Sequence, residues 1–178
     1  MASMKARHTQ QQFETLLHAH RGVVFKVAGL YSRNPHDRDD LVQEISAQLW
    51  RSFARYDEAR AKFSTWMYRI ALNVAISQAR RERWSEGNRF EPLQLHHLET
   101  IGGGEGIDEP DDRLVALYAF IGELDPLNRA LILLYLEDRN HTEMADILGI
   151  SETNVATKIG RIKQKLRGQM TAAENTGA

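Results

Sequence analysis

Among its 178 residues the chain has no cysteine. That absence excludes disulfides, thiolate metal sites and cysteine nucleophiles together, and it fits a reducing compartment. Aromatic residues are scarce, 8% of the total, and there are only four prolines. Strand-like alternation of apolar and polar residues is hard to find. The longest apolar runs, around 114–121 and 130–136, are too short to span a bilayer. The opening residues MASMKARHTQQQF hold no apolar signal core. The expectation is a cytoplasmic protein with no membrane insertion. An excess of one charge is missing too: 23 basic residues face 24 acidic ones. A general nucleic-acid coat is thereby excluded, and contact with a polyanion has to rest on local patches.

What the sequence does contain is helical periodicity. Phe13, Leu16, Leu17, Val23, Val24 and Val27 give one apolar face, with Gly22 as a bend. Asn34-Pro35 reads as a turn, after which Asp37 offers a helix cap and Asp39 and Asp40 suit a first turn. Leu41, Val42, Ile45, Leu49 and Phe53 then form a buried face, leaving Asp40, Gln43, Glu44, Ala47 and Arg51 largely opposite. A polar connector, Tyr56 to Lys62, precedes a third helix starting near Phe63. That helix is apolar on two sides, Phe63, Met67, Ile70, Val74 and Tyr68, Leu72, Ala75, Ala79, with a polar stripe of Arg69, Asn73, Ser77 and Arg80 between them. Such a helix is central to its bundle, and its stripe is the part left to meet a ligand.

From Ser85 to Asp112 the composition shifts. Glycines and prolines interrupt any helix, and eight acids face the single base Arg89. We read this as a flexible linker, able to span roughly 90 Å extended or about 30 Å as a relaxed coil, and so to hold two modules well apart.

Beyond it, Leu114, Leu117, Tyr118 and Ile121 mark one helix. Asp125-Pro126 starts the next, with Ala130, Leu131, Leu134 and Tyr135 inward. His141 to Arg167 then reads as a helix-turn-helix. Ala145, Gly149 and Val155 supply the small residue, the turn and the apolar anchor, and Ser151 caps the second helix. Val155, Ile159, Ile162 and Leu166 share one face of that helix, while Lys158, Arg161, Lys163, Lys165 and Arg167 charge it. No acidic residue occurs between Thr153 and Ala173, so this helix is suited to DNA. The fold class expected is all-α: two small helical domains, 9–84 and 113–170, joined by an acidic linker over 85–112.

No phosphate loop, nucleophile arrangement or catalytic carboxylate pair is present, so no enzyme and no cofactor is expected. His18 and His20, two apart on a helix, do not share a face, and His96 and His97 read as surface residues, so no metal site is expected.

DRDDLVQEISAQLWRSFARYD followed by AKFSTWMYRIALNVAISQARRERW resembles region 2 of bacterial sigma factors, most closely those of the extracytoplasmic-function group. The C-terminal domain resembles region 4. The resemblance implies a dissociable subunit that binds core RNA polymerase, recognises promoter DNA and helps open it. It implies polymerase docking through Asp40, Leu41, Gln43 and Glu44. For the minus-ten element it implies Tyr56, Lys62, Phe63, Trp66, Arg69, Asn73, Arg80 and Arg81. Asn73 there lines the pocket for a flipped base, or else satisfies a neighbouring backbone group, and Trp66 either stacks on a base or packs at the domain edge. For the minus-thirty-five element it implies Thr153, Asn154, Ala156, Thr157, Lys158, Gly160, Arg161 and Lys165. Ala156 and Gly160 depart from the family's usual larger residues, which thins direct readout. Relatives are often restrained by an anti-sigma factor, which is therefore a further partner the resemblance admits. The alternative is a free-standing helix-turn-helix regulator whose N-terminal bundle dimerises or senses a ligand.

Overall fold

The computed structural model describes residues 2–85 and 112–176. Their regular structure is entirely helical: α1 (Ala2–Ala19), α2 (Arg21–Tyr31), α3 (Pro35–Phe53), α4 (Phe63–Ser85), α5 (Asp112–Glu123), α6 (Pro126–Leu136), α7 (His141–Leu148) and α8 (Glu152–Thr176). The all-α class stands. Apart from its two end residues, the expected linker lies outside the described residues, as do its histidines.

Local chemistry fixes the helix ends. The break between α1 and α2 falls at His20, and Gly22, the expected bend, is helical within α2. Asn34, not Asp37, caps α3: its side chain accepts from the Asp37 amide at 2.9 Å. Pro35 explains the earlier start, because its missing N–H and preset φ suit the first helical position. Asp39 and Asp40 consequently lie beyond the first turn. Asp125 repeats the device at α6, accepting from Leu127 and Asn128 at 3.1 and 3.0 Å ahead of Pro126. Asn140 and Glu143 form a reciprocal capping box on α7. Gly149 ends that helix at φ 67°, and Ser151 Oγ accepts from the Asn154 amide at 3.1 Å to open α8.

Leu41, Ile45 and Leu49 of α3 are buried in the core formed with α2 and α4, as are Val24, Val27, Met67 and Ala71. Leu131, Leu134, Met144, Ile147, Val155 and Ile159 are likewise buried among α6, α7 and α8. Tyr135 is exposed rather than inward, with the Lys163 ammonium 4.1 Å from its ring centre. The two helical sets, expected apart, are in contact and share one continuous buried cluster. The reason lies in α4. Its two apolar sides need two sets of neighbours; α2 and α3 cover one side, α6 and α7 the other.

Among the described residues Gly149 is the one glycine with a left-handed backbone, and a Cβ there would meet no neighbour within 4 Å. Any cost of Gly149→Ala is therefore conformational, about 1 kcal/mol. We expect a Tm lower by about 2–4 °C in thermal denaturation.

Candidate nucleic-acid interface

On the outer face of α3, Asp40, Gln43 and Glu44 are exposed. His36 Nδ1 lies 3.5 Å from Asp40, and Arg51 donates to Glu44 at 3.1 Å. Leu41 does not join them. At 1% exposure it belongs to the core row with Ile45 and Leu49, so the expectation that it borders the docking face is corrected. Trp50 is the exposed apolar side chain on this face. It is 45% exposed, continues the Gln43 and Ala47 face by helical spacing, and leans on Phe13 with ring centres 5.1 Å apart.

The connector after α3 is ordered by its own side chains. Asp57 accepts from the Ala59 amide at 3.0 Å, and the Tyr56 hydroxyl donates to the Ala61 carbonyl at 3.2 Å. Tyr56, Phe63 and Trp66 meet ring to ring at 5.1–5.3 Å, with Phe53 behind them. Phe63 is buried within this cluster and cannot offer its ring to DNA, a second correction. Tyr56 and Trp66 remain half-buried, and Lys62 is exposed.

Along α4, Asn73, Ser77, Arg80 and Arg81 are exposed. A cleft of about 310 Å³ runs between α3 and α4, lined by Glu44, Gln48, Asn73, Ser77 and Arg81. Residues expected to dock a protein and to read a base thus share one concavity. Arg69, at the other edge of the stripe, is not free. Its guanidinium pairs with the Asp146 carboxylate of α7 at 2.8 Å and donates to the Asp146 carbonyl at 3.2 Å.

On α8, Val155, Ile159 and Ile162 point into the core and leave Thr153, Asn154, Ala156, Thr157, Gly160 and Arg161 exposed. Lys158 is half-buried. Lys165 leans toward α5, its ammonium 5.8 Å from the Phe120 ring centre. Lys158, Arg161 and Lys165 edge a cleft whose far wall carries Glu123 and Asp125, so acidic side chains moderate this part of the basic surface.

Sequence reasoning missed the seam between the two helical sets. Arg129 is 6% exposed and donates to the carbonyls of Leu30 at 3.0 Å, Gly122 at 2.8 Å and Leu124 at 3.3 Å. It also sits over the Tyr31 ring, while the Tyr31 hydroxyl donates to the Pro126 carbonyl at 2.6 Å. Burial pushes the Tyr31 hydroxyl up, against the pull of the Arg129 cation, so it stays a donor. Lys26 pairs with Glu137 at 2.6 Å. Arg139 reaches the Ser64 and Thr65 hydroxyls and covers the Tyr68 ring. One signal was available: Arg129 is the lone charge inside the apolar run PLNRALILLYL.

Among the described residues, no group of three or more His, Asp or Glu is placed to hold a metal, and no helix is long and apolar enough to cross a membrane.

Comparison with known proteins gives two family matches: Sigma-70 region 2 over residues 16–85 and Sigma-70, region 4 over residues 114–166, together more than half of the chain. The extracytoplasmic-function sigma factor SigW of Bacillus subtilis is 24% identical over 90% of each chain. The sigma factor CnrH of Cupriavidus metallidurans is 28% identical over 97% of this chain and 93% of its own. The solved structure of CnrH in complex with the cytosolic domain of CnrY shares the fold at a TM-score of 0.64 and 24% identity, covering 96% of this chain and 95% of that one. With region 2 and region 4 matched in order along one chain of helices, the protein belongs to the extracytoplasmic-function group of the sigma-70 family and is an alternative sigma factor for transcription initiation.

Proposed function

We propose that this sigma factor divides its work among three surfaces. The α3 face of Asp40, Gln43 and Glu44, with Trp50 as its apolar edge, docks core RNA polymerase. Carboxylates there meet a basic partner, and a half-exposed tryptophan is the kind of side chain that anchors an interface. The stripe and cleft of α4, through Asn73, Arg80 and Arg81, take the unstacked minus-ten strand. An amide carries both donor and acceptor for a base edge, and the arginines meet phosphates. The exposed first turns of α8 read the minus-thirty-five duplex, with Arg161 as the principal contact. The chain supplies no chemistry of its own.

The α3–α4 cleft is the observation that supports this reading best. It joins Glu44 and Asn73 in one rigid unit, so docking on the enzyme would set the position of the melted strand. A protein domain that binds and restrains this chain, an anti-sigma factor, is a further partner in the reading; its support is CnrH, solved with the cytosolic domain of CnrY. A free-standing regulator is not favoured. Promoter-directed transcription in vitro with purified core polymerase tests the whole reading, and it fails if the chain neither binds the enzyme nor changes where it initiates.

Three substitution experiments separate the surfaces. Asn73→Ala is expected to impair promoter opening, read by permanganate reactivity, while leaving affinity for core polymerase unchanged. Asp40→Arg with Glu44→Arg, or Trp50→Ala alone, is expected to weaken co-purification with core by tenfold or more, about 1.4 kcal/mol, with helicity by circular dichroism intact. Gly160→Ala meets nothing within 4 Å. It is expected to stabilise α8 by up to about 1 kcal/mol while lowering holoenzyme affinity for minus-thirty-five duplex if DNA lies against that glycine. Equal affinity would remove Gly160 from the contact surface.

A further inference from the structure

The recognition helix places part of its positive charge away from its outward face. Lys158, Arg161 and Lys165 follow one another at spacings of three and four residues and so share a flank of α8. That flank faces the end of α5 and the start of α6 across a cleft of about 350 Å³, whose other wall holds Glu123, Asp125 and Asn128. Lys165 is exposed, and its ammonium lies 5.8 Å from the Phe120 ring centre. Glu123 stands three residues after Phe120 on the same face of α5. One turn beyond Lys165, the Gln169 amide donates to the Glu123 carboxylate at 3.1 Å. The carboxylate is thereby held against the flank that carries Lys165.

The two acids of the wall are not equivalent. Asp125 is committed to its own helix: Oδ1 accepts from the Leu127 and Asn128 amides at 3.1 and 3.0 Å, and Oδ2 accepts from the Asn128 side chain. Glu123 is exposed at the C-terminal end of α5, where a negative charge opposes the helix dipole and local helix chemistry does not favour it. Across the cleft, Ala156 and Gly160 leave α8 with short side chains on its outward face. Duplex affinity then leans on phosphate contacts, which carry no sequence information. A helix of that kind gains discrimination when its phosphate contribution is weakened, because specificity is the ratio of site binding to sequence-independent binding.

We infer that Glu123 is a specificity-determining residue for the minus-thirty-five duplex: it draws the Lys165 ammonium toward α5, away from DNA phosphates, and so lowers sequence-independent binding while leaving the base-facing side chains of α8 untouched. The inference rests on the reading of α8 as the minus-thirty-five helix. Glu123 acts by competition, since the ammonium takes either the carboxylate or a phosphate. Binding to any duplex then includes the cost of withdrawing Lys165 from the acidic wall. Only a sequence that satisfies Thr153, Asn154, Thr157 and Arg161 offsets that cost. Screening at this exposed site sets the scale of the restraint at about threefold in affinity.

Fluorescence anisotropy of the free full-length chain on a random-sequence duplex, across a salt series, tests the restraint. Glu123→Gln is expected to raise affinity about threefold at low salt and to steepen the fall of log K with log salt by about one phosphate contact. Asp138→Asn removes the same charge from the same helical set, outside the cleft, and is expected to leave the slope unchanged. An equal change of slope in the two variants, or none in Glu123→Gln, overturns the restraint. In a Lys165→Gln background, Glu123→Gln is expected to add nothing, and a gain that persists there overturns Lys165 as the restrained cation. With random competitor duplex present, promoter-directed transcription by holoenzyme carrying Glu123→Gln is expected to fall about threefold relative to wild type. An unchanged ratio overturns the role in specificity. If Arg161→Ala leaves discrimination among minus-thirty-five sequences intact, the reading of α8 fails, while the salt slopes on random duplex still decide the restraint.

Discussion

Everything in this molecule turns on one helix that cannot be solvated on more than a narrow stripe. α4 carries Met67, Tyr68, Ala71, Leu72 and Ala75 essentially without exposure. Packed between α2 and α3 on one side and α6 and α7 on the other, it is shared by both halves of the protein. Exposing even one such aromatic or leucine side chain forfeits about 1.5–3 kcal/mol, so α4 recruits whatever apolar surface is within reach. The same demand that makes it the scaffold of the proposed minus-ten surface draws the region 4 unit over one edge of that surface.

The seam is graded in strength. At its centre, the Arg129 cation is desolvated and held by three carbonyls, and removal of one partner from such a buried charge typically costs about 3–5 kcal/mol. At its rim, Arg69 and Asp146 are 41% and 60% exposed, and screening leaves a pair of that kind worth about 0–1 kcal/mol. Buried apolar contacts and the Arg129 hydrogen bonds hold the centre of the seam, and the weak exposed pairs add register only at its rim. Only two of the three carbonyls that hold Arg129 belong to its own helical set; the third, Leu30, lies at the end of α2.

The helix boundaries were largely legible because they follow local rules. Asp125 ahead of Pro126, Gly149 after Leu148, and Ser151 before Glu152 each act within a few residues of themselves. The cap of α3 was misplaced for a local reason as well, since Pro35 favours Asn34 three residues before Asp37. Site residues were less legible. Leu41 and Phe63 sit beside proposed functional positions in sequence yet point inward, and Trp50 points outward from a run rich in core residues. Resemblance to a family carries positions, whereas burial depends on which side of the helix finds a neighbour.

The order of residues alone determined the all-helical class, the helix-turn-helix with its glycine turn, the absence of acids between Thr153 and Ala173 of its second helix, and the pairing of region 2 with region 4. These rest on periodicity and on chemistry between residues no more than a turn or two apart, which a linear sequence displays directly. Only the tertiary structure decided that Arg69 faces Asp146 across 77 positions, that Arg129 is buried against α2, and that the two units close on each other. Those contacts arise from the filling of α4's second apolar side, and which distant helix fills it is a question of three-dimensional packing rather than of local sequence.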